Sequence, residues 1–295
     1  MTVDCGTRDV APVRYAKTLG IDVIVTDHHA VPTDIPEDVI AIINPKRSDS
    51  TYPFRDLAGA GVALKLVHAI VERITPEKRE KILSEYIDFA SLGTVSDCMP
   101  LIDENRTIVT LGLHQMGNSR SHGLRKFLTG KEKSLRDSDV IGFQIGPRIN
   151  AAGRMDTPLT ALHWLLASDE RSDNFFSELE HLNESRREVT ERYFHDALEA
   201  IDTESPILFY DSENLEHGVI GLVAGRLTEM YGKPAIVMKN GDEHPLANRK
   251  GYDTVSNISP VASHGALSIG SCRSPEWCNI IEMLESCKDL LIRYG

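Results

Sequence analysis

Three consecutive polar residues, Asp27, His28 and His29, directly follow a six-residue run at 21–26 that is rich in β-branched side chains. Such a run is typical of a parallel strand that is covered on both faces. Asp4 stands in the same way near the end of a shorter run, which we predict to be a buried strand, and a predicted helix separates the two runs. Because reactive groups collect at the carboxyl ends of strands in an open parallel sheet, we expect all four side chains at one edge.

The residue types at this edge favour a site for divalent metal ions. Asp97, in a turn-like segment after a helix, adds a further carboxylate. Carboxylates with an imidazole suit Mn²⁺ or Mg²⁺ better than a structural zinc site, and paired ions of this kind can hydrolyse a phosphodiester. We therefore predict His28 as a metal ligand and Asp4 as the bridging carboxylate, with Asp97 as a further carboxylate in the same domain. Asp27 would fix the tautomer of a histidine, and His29 would touch the scissile phosphate.

Each of these residues alone also has an ordinary structural explanation. An Asp after a strand is often a turn or helix-capping residue, and for Asp4 or Asp97 in isolation that explanation is favoured. A His-His pair can belong to a polar loop. A tandem Asp-His-His directly after a buried strand is rarer, and there the pattern favours a functional site.

The elements that must position these residues predict an α/β protein with a parallel sheet in its first domain. We predict this domain over 1–172, a long connector helix over 173–203, and a smaller α/β domain over 204–295. In the first domain we predict a further strand at 39–43 and helices at 58–73, 76–91, 104–116 and 158–168. In the second domain we predict strands at 207–210, 235–238 and 267–271 and helices at 218–231 and 276–292. Residues 240–266 are rich in Gly, Asn, Ser and Pro, which predicts an irregular insertion.

Bulk composition narrows the class of protein without identifying it. The net charge of −12 argues against a general nucleic-acid coat protein, which would be basic overall. The stretch 117–154 nevertheless holds eight Lys or Arg against three acids, a local net charge of +5, which fits either a phosphate-binding surface or a solvated loop. Five scattered cysteines without a CxxC pair favour reduced thiols, and no apolar run approaches a membrane span, so we expect a cytoplasmic protein.

Motifs that occur in a fixed order resemble one known family, the DHH phosphoesterases. The resemblance rests on VDCG, IDVIVTDHH, INP, LAGAGVA and LGTVSDCMPL. A further motif narrows it to the RecJ-type exonucleases within that superfamily, namely GPRINAAGR at 146–154, and LNESRRE, HGVIG and GSCRS extend it along nearly the whole chain. The resemblance implies an enzyme that degrades single-stranded DNA from the 5′ end, in repair and recombination, with Mn²⁺ or Mg²⁺.

The resemblance also implies roles for single residues. The metal-binding motifs of the family fall on Asp4, Asp27-His28-His29 and Asp97, and phosphate contacts fall on Arg148, Arg154, Ser271, Cys272 and Arg273. Guanidinium groups can hold phosphate through paired hydrogen bonds, and exposed turn amides can cradle an anion. The residues around Arg148 suggest a shaped loop, and an ion pair within the fold is the alternative for this side chain. Cys272 replaces the glycine of a Ser-Gly-Arg turn, which preserves the backbone shape only if its φ is negative. His217 and Asn150 lie in family motifs, with packing an equal alternative for His217.

The chain departs from the family pattern at both ends. The family carries an earlier Asp-x-Asp motif with further metal ligands and a later Gly-Gly-His motif, and the chain contains neither. We therefore expect that both ends are cut, and that Asp4, His28 and Asp97 alone hold two metals incompletely. The expected result is a weakly active or inactive polypeptide. The insertion at 240–266 is also longer than the family pattern predicts.

Two alternatives to a single-strand exonuclease stay open. A DHH phosphodiesterase for short oligonucleotides or cyclic dinucleotides would use the same ligands, although GPRINAAGR and the connector helix favour the exonuclease. A non-catalytic nucleic-acid-binding relative would keep the fold without metals, although retention of Asp4, His28, His29 and Asp97 opposes this. A dinucleotide-binding fold is disfavoured because no GxGxxG motif follows the first strand. We expect a monomer that acts on single-stranded DNA, without membrane attachment and with repair-protein partners unspecified.

Overall fold

A computed structural model describes residues 1–130, 137–242 and 267–292 of the chain. The chain divides into two compact units: unit 1 contains residues 1–150 and 158–180, and unit 2 contains residues 151–157 and 181–295. The domain limits at 172 and 203 stay predictions. Most of the predicted insertion, residues 243–266, lies outside the described residues, as do Lys131, Lys133 and Arg136 of the basic stretch.

The sheet of unit 1 has three parallel strands in the order β1 (Thr2–Val3), β2 (Ile24–Thr26) and β3 (Ala41–Ile43). Helix α1 (Val10–Thr18) connects β1 to β2, as a β-α-β unit requires. The register aligns Val3 with Thr26 and Thr26 with Ile43, so the three strands end at the same level. The predicted α/β class is confirmed, and the residues that follow the strands lie side by side.

The first strand is less buried than its sequence predicts. Val3 is 44% exposed, because β1 lies at an edge of the three-stranded sheet, whereas Val25 of the central strand is fully buried. Val25 packs with Val13 of α1 and with Val23 in a small apolar cluster. The interpretation of β1 as a buried strand is therefore wrong, although its position and direction are as predicted.

Helices supply most of the remaining structure that begins in unit 1. They are α2 (Gly59–Ile74), α3 (Arg79–Ser96), α4 (Asp103–Met116), α5 (His122–Leu128), α6 (Gly146–Met155) and α7 (Leu159–Leu166), with a π-helix at Val140–Ile145. Helices α3 and α4 approach closely, since a Cβ added to Gly112 would overlap the Ser91 hydroxyl oxygen. The buried side chains of Asp88 and Asn105 belong to these two helices.

Two segments that read as irregular in the sequence are helical. The turn predicted before Asp97 is the last turn of α3, and Asp97 is its C-cap residue. The predicted loop around Arg148 is helix α6. Pro147 is the second residue of α6, which directly follows the π-helix at Val140–Ile145.

Unit 2 packs helices against a second three-stranded sheet. Its elements, the first of which begins within unit 1, are α8 (Arg171–Ala200), β4 (Leu208–Ser212), α9 (Ile220–Tyr231), β5 (Ala235–Asp242), β6 (Leu267–Arg273) and α10 (Ile280–Ser286). Strand β5 pairs parallel with β4 and antiparallel with β6. The helix predicted at 276–292 is shorter, with α10 followed by a 3₁₀ turn at Lys288–Leu290. Within the described residues, no helix combines the length and apolar character needed to cross a bilayer.

Candidate active site

The carboxyl ends of the three parallel strands bring the predicted ligands together in unit 1. The backbone N–H of Asp4 donates to the Thr26 carbonyl at 2.9 Å, and the N–H of Asp27 donates to the Ile43 carbonyl at 3.0 Å. Each strand therefore fixes the first polar residue of its neighbour. Asp4 itself has a φ of 64°, a left-handed backbone that Asp tolerates better than most residues.

Two carboxylates converge on the imidazole of His28. Its Nε2 lies 3.0 Å from Oδ1 of Asp4 and 3.2 Å from Oδ2 of Asp97, and the residue is only 5% exposed. These contacts are short but are not aligned as hydrogen bonds among the described residues. The carboxylate of Asp4 raises the pKa of His28, with Asp97 acting in the same direction against the effect of burial. Burial raises the pKa of Asp97.

This arrangement fits a divalent cation. Ligand atoms of Asp4, His28 and His29 all lie within 4.8 Å of one another, and Asp97 adds a further oxygen next to His28. Hard carboxylate oxygens with imidazole nitrogens are ligands that Mn²⁺ and Mg²⁺ accept. The Nε2 atom of His28 is buried and forms no aligned hydrogen bond in the described part of the chain, and a cation bound between it and the two carboxylates would satisfy all three groups.

Asp27 is buried beneath the cluster and orients His29 rather than His28. Its carboxylate accepts the backbone N–H of Thr7 at 2.9 Å, of His28 at 2.7 Å and of His29 at 3.1 Å. It also lies 2.8 Å from Nδ1 of His29. Although burial opposes ionisation, the hydrogen bonds from Thr7 and His29 lower the pKa of Asp27 well below its ordinary range. Asp27 therefore holds Nδ1 of His29 and leaves the Nε2 side of this exposed ring for a ligand or substrate.

Two residues that support the cluster were missed by the sequence analysis. The amide of Asn44, just after β3, donates to the His29 carbonyl at 3.0 Å and to the Thr7 hydroxyl at 3.1 Å. Gly59 lies against Asp4, since an added Cβ would overlap the Asp4 Oδ1 atom. The signal for Asn44 was its position as the polar residue that ends the third strand. Gly59 lies in the LAGAGVA motif, but the motif gave it no role, because its contact with Asp4 is made through space.

Within the described residues, neither Arg148 nor Asn150 forms a hydrogen bond or ion pair with the cluster around His28. The Arg148 guanidinium pairs with Glu180, donates to the Gln144 carbonyl, and lies 5.6 Å from the centre of the Phe127 ring. The alternative of an ion pair within the fold is thus present for Arg148. The side chain of Asn150 is exposed, and no contact of this side chain is found among the described residues.

Unit 2 brings together a second group of the predicted residues. Arg154 donates from Nη1 to the Gly218 carbonyl at 3.0 Å. Arg273 donates from Nη1 to the Ser271 hydroxyl at 3.1 Å, and a Cβ on Gly221 would lie 3.0 Å from both side chains. Burial lowers the pKa of Arg154, and the positive charge of Arg273 lowers it further. Both observations place the two arginines near the start of α9.

The predicted turn at Ser271, Cys272 and Arg273 is part of strand β6. Cys272 pairs with Ile236 of β5, and its φ is not positive, so the replacement of glycine does not disturb the backbone. Burial raises the pKa of the Cys272 thiol. His217 lies in the turn that leads into α9 with both ring nitrogens buried, and its role stays open.

Residues 1–94 match the model of the DHH family, N-terminal domain. Along its whole length the chain is similar to the single-stranded-DNA-specific exonuclease RecJ of Bacillus subtilis (strain 168), with 33% identity over 301 residues. It covers 34% of that relative.

Solved structures of RecJ share the fold over the entire chain. RecJ from Thermus thermophilus in complex with Mn²⁺ matches with a TM-score of 0.78 and 29% identity, and the match covers 100% of this chain and 40% of that one. The complex of the same protein with Mg²⁺ matches with a TM-score of 0.72 and 28% identity, over 100% of this chain and 38% of that one. The chain spans about a third to two fifths of the length of these proteins.

Proposed function

We propose that this chain is a metal-dependent exonuclease that hydrolyses single-stranded DNA in the 5′→3′ direction during repair and recombination. The observation that carries the proposal is the convergence of Asp4 and Asp97 on the Nε2 atom of His28. Its similarity to RecJ over the full chain supports the substrate class. The polarity and the repair role rest on the motif resemblance alone. We also propose a cytoplasmic monomer.

The ligands for the ion would be Asp4, His28 and Asp97. Mn²⁺ or Mg²⁺ bound by them would supply the Lewis-acid chemistry of phosphodiester hydrolysis. Asp4 and Asp97 contribute negative charge, and burial of His28 keeps its ring in one orientation. Asp27 orients the exposed ring of His29, which can then reach the scissile phosphate from Nε2.

The arginines have separate roles in this proposal. Arg154 and Arg273 bind a DNA phosphate together with the Ser271 hydroxyl, since guanidinium groups and a hydroxyl are suited to anionic oxygens. Cys272 lies between Ser271 and Arg273 in strand β6, and its main chain would contribute to the same phosphate site. A phosphate contact by Arg148 requires that it leave Glu180, and this contact stays a prediction.

The central test measures cleavage by the purified chain. We expect Mn²⁺-dependent shortening of 5′-phosphorylated single-stranded DNA, and its loss in Asp4→Asn and His28→Ala. Asp22→Asn is the matched control, because this exposed carboxylate has only a 3.7 Å contact with Lys17. Substrates labelled at the 5′ or 3′ end report polarity, and dinucleotides and cyclic dinucleotides test the alternative phosphodiesterase. A chain that binds DNA but shows neither cleavage nor Mn²⁺ binding would support the non-catalytic relative instead.

The expected rate is low. Among the described residues, Asp4, His28 and Asp97 supply few protein ligands for two ions of ordinary coordination number. Rapid, processive degradation by this chain alone would contradict the idea that further ligands are needed.

A further inference from the structure

Arg186 lies on the buried face of α8. It precedes Tyr193 and Ala197 by about two and three helical turns, and both of those residues are buried in the core of unit 2. Its Nη2 atom donates to the side-chain oxygen of Asn183 at 3.0 Å. Its Nε atom is buried and has no hydrogen-bond partner among the described residues. A buried N–H group without an acceptor costs free energy, so the described residues satisfy this guanidinium incompletely.

Within the described residues, no carboxylate balances the positive charge of Arg186. Within the described residues, the contacts of Arg154, Arg186 and Arg273 include carbonyl, amide and hydroxyl oxygens but no carboxylate. Burial lowers the pKa of Arg186, and the neighbouring charges of Arg187 and Arg154 lower it further. Arg154 is thus close enough to both Arg186 and Arg273 for their positive charges to repel, and Arg187 adds to the repulsion at Arg186. Like charges that are partly removed from water are stable together when an anion lies among them.

Other hydrogen-bond donors lie at the same place. Gly221, in the first turn of α9, leaves just enough room for the side chains of Arg273 and Ser271. In the described part of the chain, the backbone N–H groups of Ile220 and Gly221 have no acceptor. The start of a helix favours negative charge, which adds to the effect of the arginines.

We propose that Arg186 is a third phosphate-binding arginine of unit 2, which completes the anion site that Arg154 and Arg273 form. The ligand is a phosphate group of single-stranded DNA, whose oxygens accept the unpaired N–H groups and offset the repulsion. This inference rests on the proposed function, which assigns a DNA phosphate to Arg154 and Arg273. The added residue, Arg186, lies on α8, whereas Arg154 lies on α6 and Arg273 lies on β6.

Binding of DNA tests the inference with a matched pair of variants. Arg187 is the neighbouring, exposed arginine on α8, so Arg187→Gln removes the same charge from another face of the helix. We expect Arg186→Gln to weaken binding of a fluorescent 5′-phosphorylated oligothymidylate about tenfold or more, measured by anisotropy in EDTA. The slope of log K against log salt should also fall by about one. Arg187→Gln should weaken binding less than about threefold. Equal losses in the two variants would overturn the inference in favour of a general charge effect.

Thermal melting separates a binding role from a structural one. Because Arg186 is repelled in the free protein, Arg186→Gln should melt at or above the temperature of the wild type without ligand. The rise in melting temperature that oligothymidylate produces in the wild type should be lost in this variant. A lower melting temperature with an undiminished rise would assign a purely structural role and overturn the inference.

Two further comparisons show whether the proposed phosphate site or only the role of Arg186 is wrong. If the wild type and Arg273→Gln bind oligothymidylate equally, the phosphate site of the proposed function fails. If Arg273→Gln is defective but Arg186→Gln binds like the wild type, only the inference about Arg186 fails. Inorganic phosphate is the second probe, and stabilisation by this ion without stabilisation by oligothymidylate would overturn the assignment to DNA.

Discussion

At the scale of single residues, contacts with neighbouring residues fix the side chain of each candidate ligand. His28 is constrained by burial, His29 by the carboxylate of Asp27, and Asp4 by the close approach of Gly59. Metal sites commonly need such supporting contacts, because they set the direction of the ligand atoms. The side chains behind the ligands are therefore as informative to mutate as the ligands themselves.

Gly59→Ala should weaken metal binding without removing any ligand. The new methyl group would overlap Oδ1 of Asp4, so the carboxylate must move away from His28. We expect at least a tenfold loss of Mn²⁺ affinity by calorimetry, in the range of about 10–100-fold that supporting contacts give. Gly225→Ala is the control, since Gly225 lies within α9 and has no neighbour within 4 Å of an added Cβ. The control should keep wild-type affinity and stabilise the protein by roughly 0.5–1 kcal/mol.

Wild-type Mn²⁺ affinity in Gly59→Ala would show that Asp4 can move without consequence for the ion. The left-handed backbone of Asp4 makes that outcome unexpected, because it limits where the carboxylate can go.

The proximity of the candidate ligands was predictable from the sequence, and the contacts that support them were not. Parallel strands end together, so polar residues after each strand must meet, and Asp4 and His28 were assigned on that basis. Asp97 could be tied to them only by the family resemblance, since it reaches His28 from the end of α3. The role of Gly59 was missed although the residue lies in the LAGAGVA motif, because the sequence does not show which side chain it contacts through space.

At the scale of helices and strands, two predictions were wrong for the same reason. In both segments the local sequence permits two conformations. Proline and small residues around Arg148 are typical of a loop, but the segment is helical, with α6 directly following the π-helix at Val140–Ile145. The family resemblance implies a turn at Ser271 and Arg273, yet pairing with β5 makes both residues part of a strand. In both cases a tertiary contact decides between two conformations that the local sequence permits.

The pairing of α3 and α4 gives a prediction at this scale. Asp88 is fully buried in α3, and burial raises the pKa of its carboxyl above the ordinary value of 3.8. The stabilising contribution of such a group is complete below pH 3.8 and is lost as the pH rises through the raised pKa of the folded state. Ionised Asp88 therefore destabilises the protein at neutral pH.

We expect Asp88→Asn to increase the free energy of unfolding at pH 7 by on the order of 1 kcal/mol, as measured by urea denaturation. The advantage should shrink as the pH falls towards 4. The amide oxygen can still accept the Phe89 N–H that Asp88 accepts at 2.8 Å. Asp22→Asn, at an exposed carboxylate, should show no such dependence. A less stable Asp88→Asn protein at pH 7 would mean that the hydrogen bonds of the carboxylate outweigh its burial.

At the scale of the whole molecule, metal binding should appear as stability. An ion that binds only the folded chain stabilises it by about 2.7 kcal/mol at a concentration of 100 times its Kd. We expect Mn²⁺ to raise the melting temperature of the wild type and EDTA to reverse the rise. His28→Ala should abolish the effect, because His28 contacts both carboxylates. A rise that persists in His28→Ala would place the bound ions elsewhere on this acidic chain, whose net charge is −12.

The left-handed backbone at Asp4 also has a consequence for how such a site can change over generations. Asp and Asn are the ordinary residues that both tolerate this conformation and carry a short side-chain oxygen. Their codons differ by one base, so a single transition replaces the carboxylate with an amide while the backbone stays relaxed. A lineage released from selection for hydrolysis could thus lose the reaction in one mutational step and keep a folded, DNA-binding descendant. Sequences that carry Asn at this position would be the place to look for such pseudoenzymes.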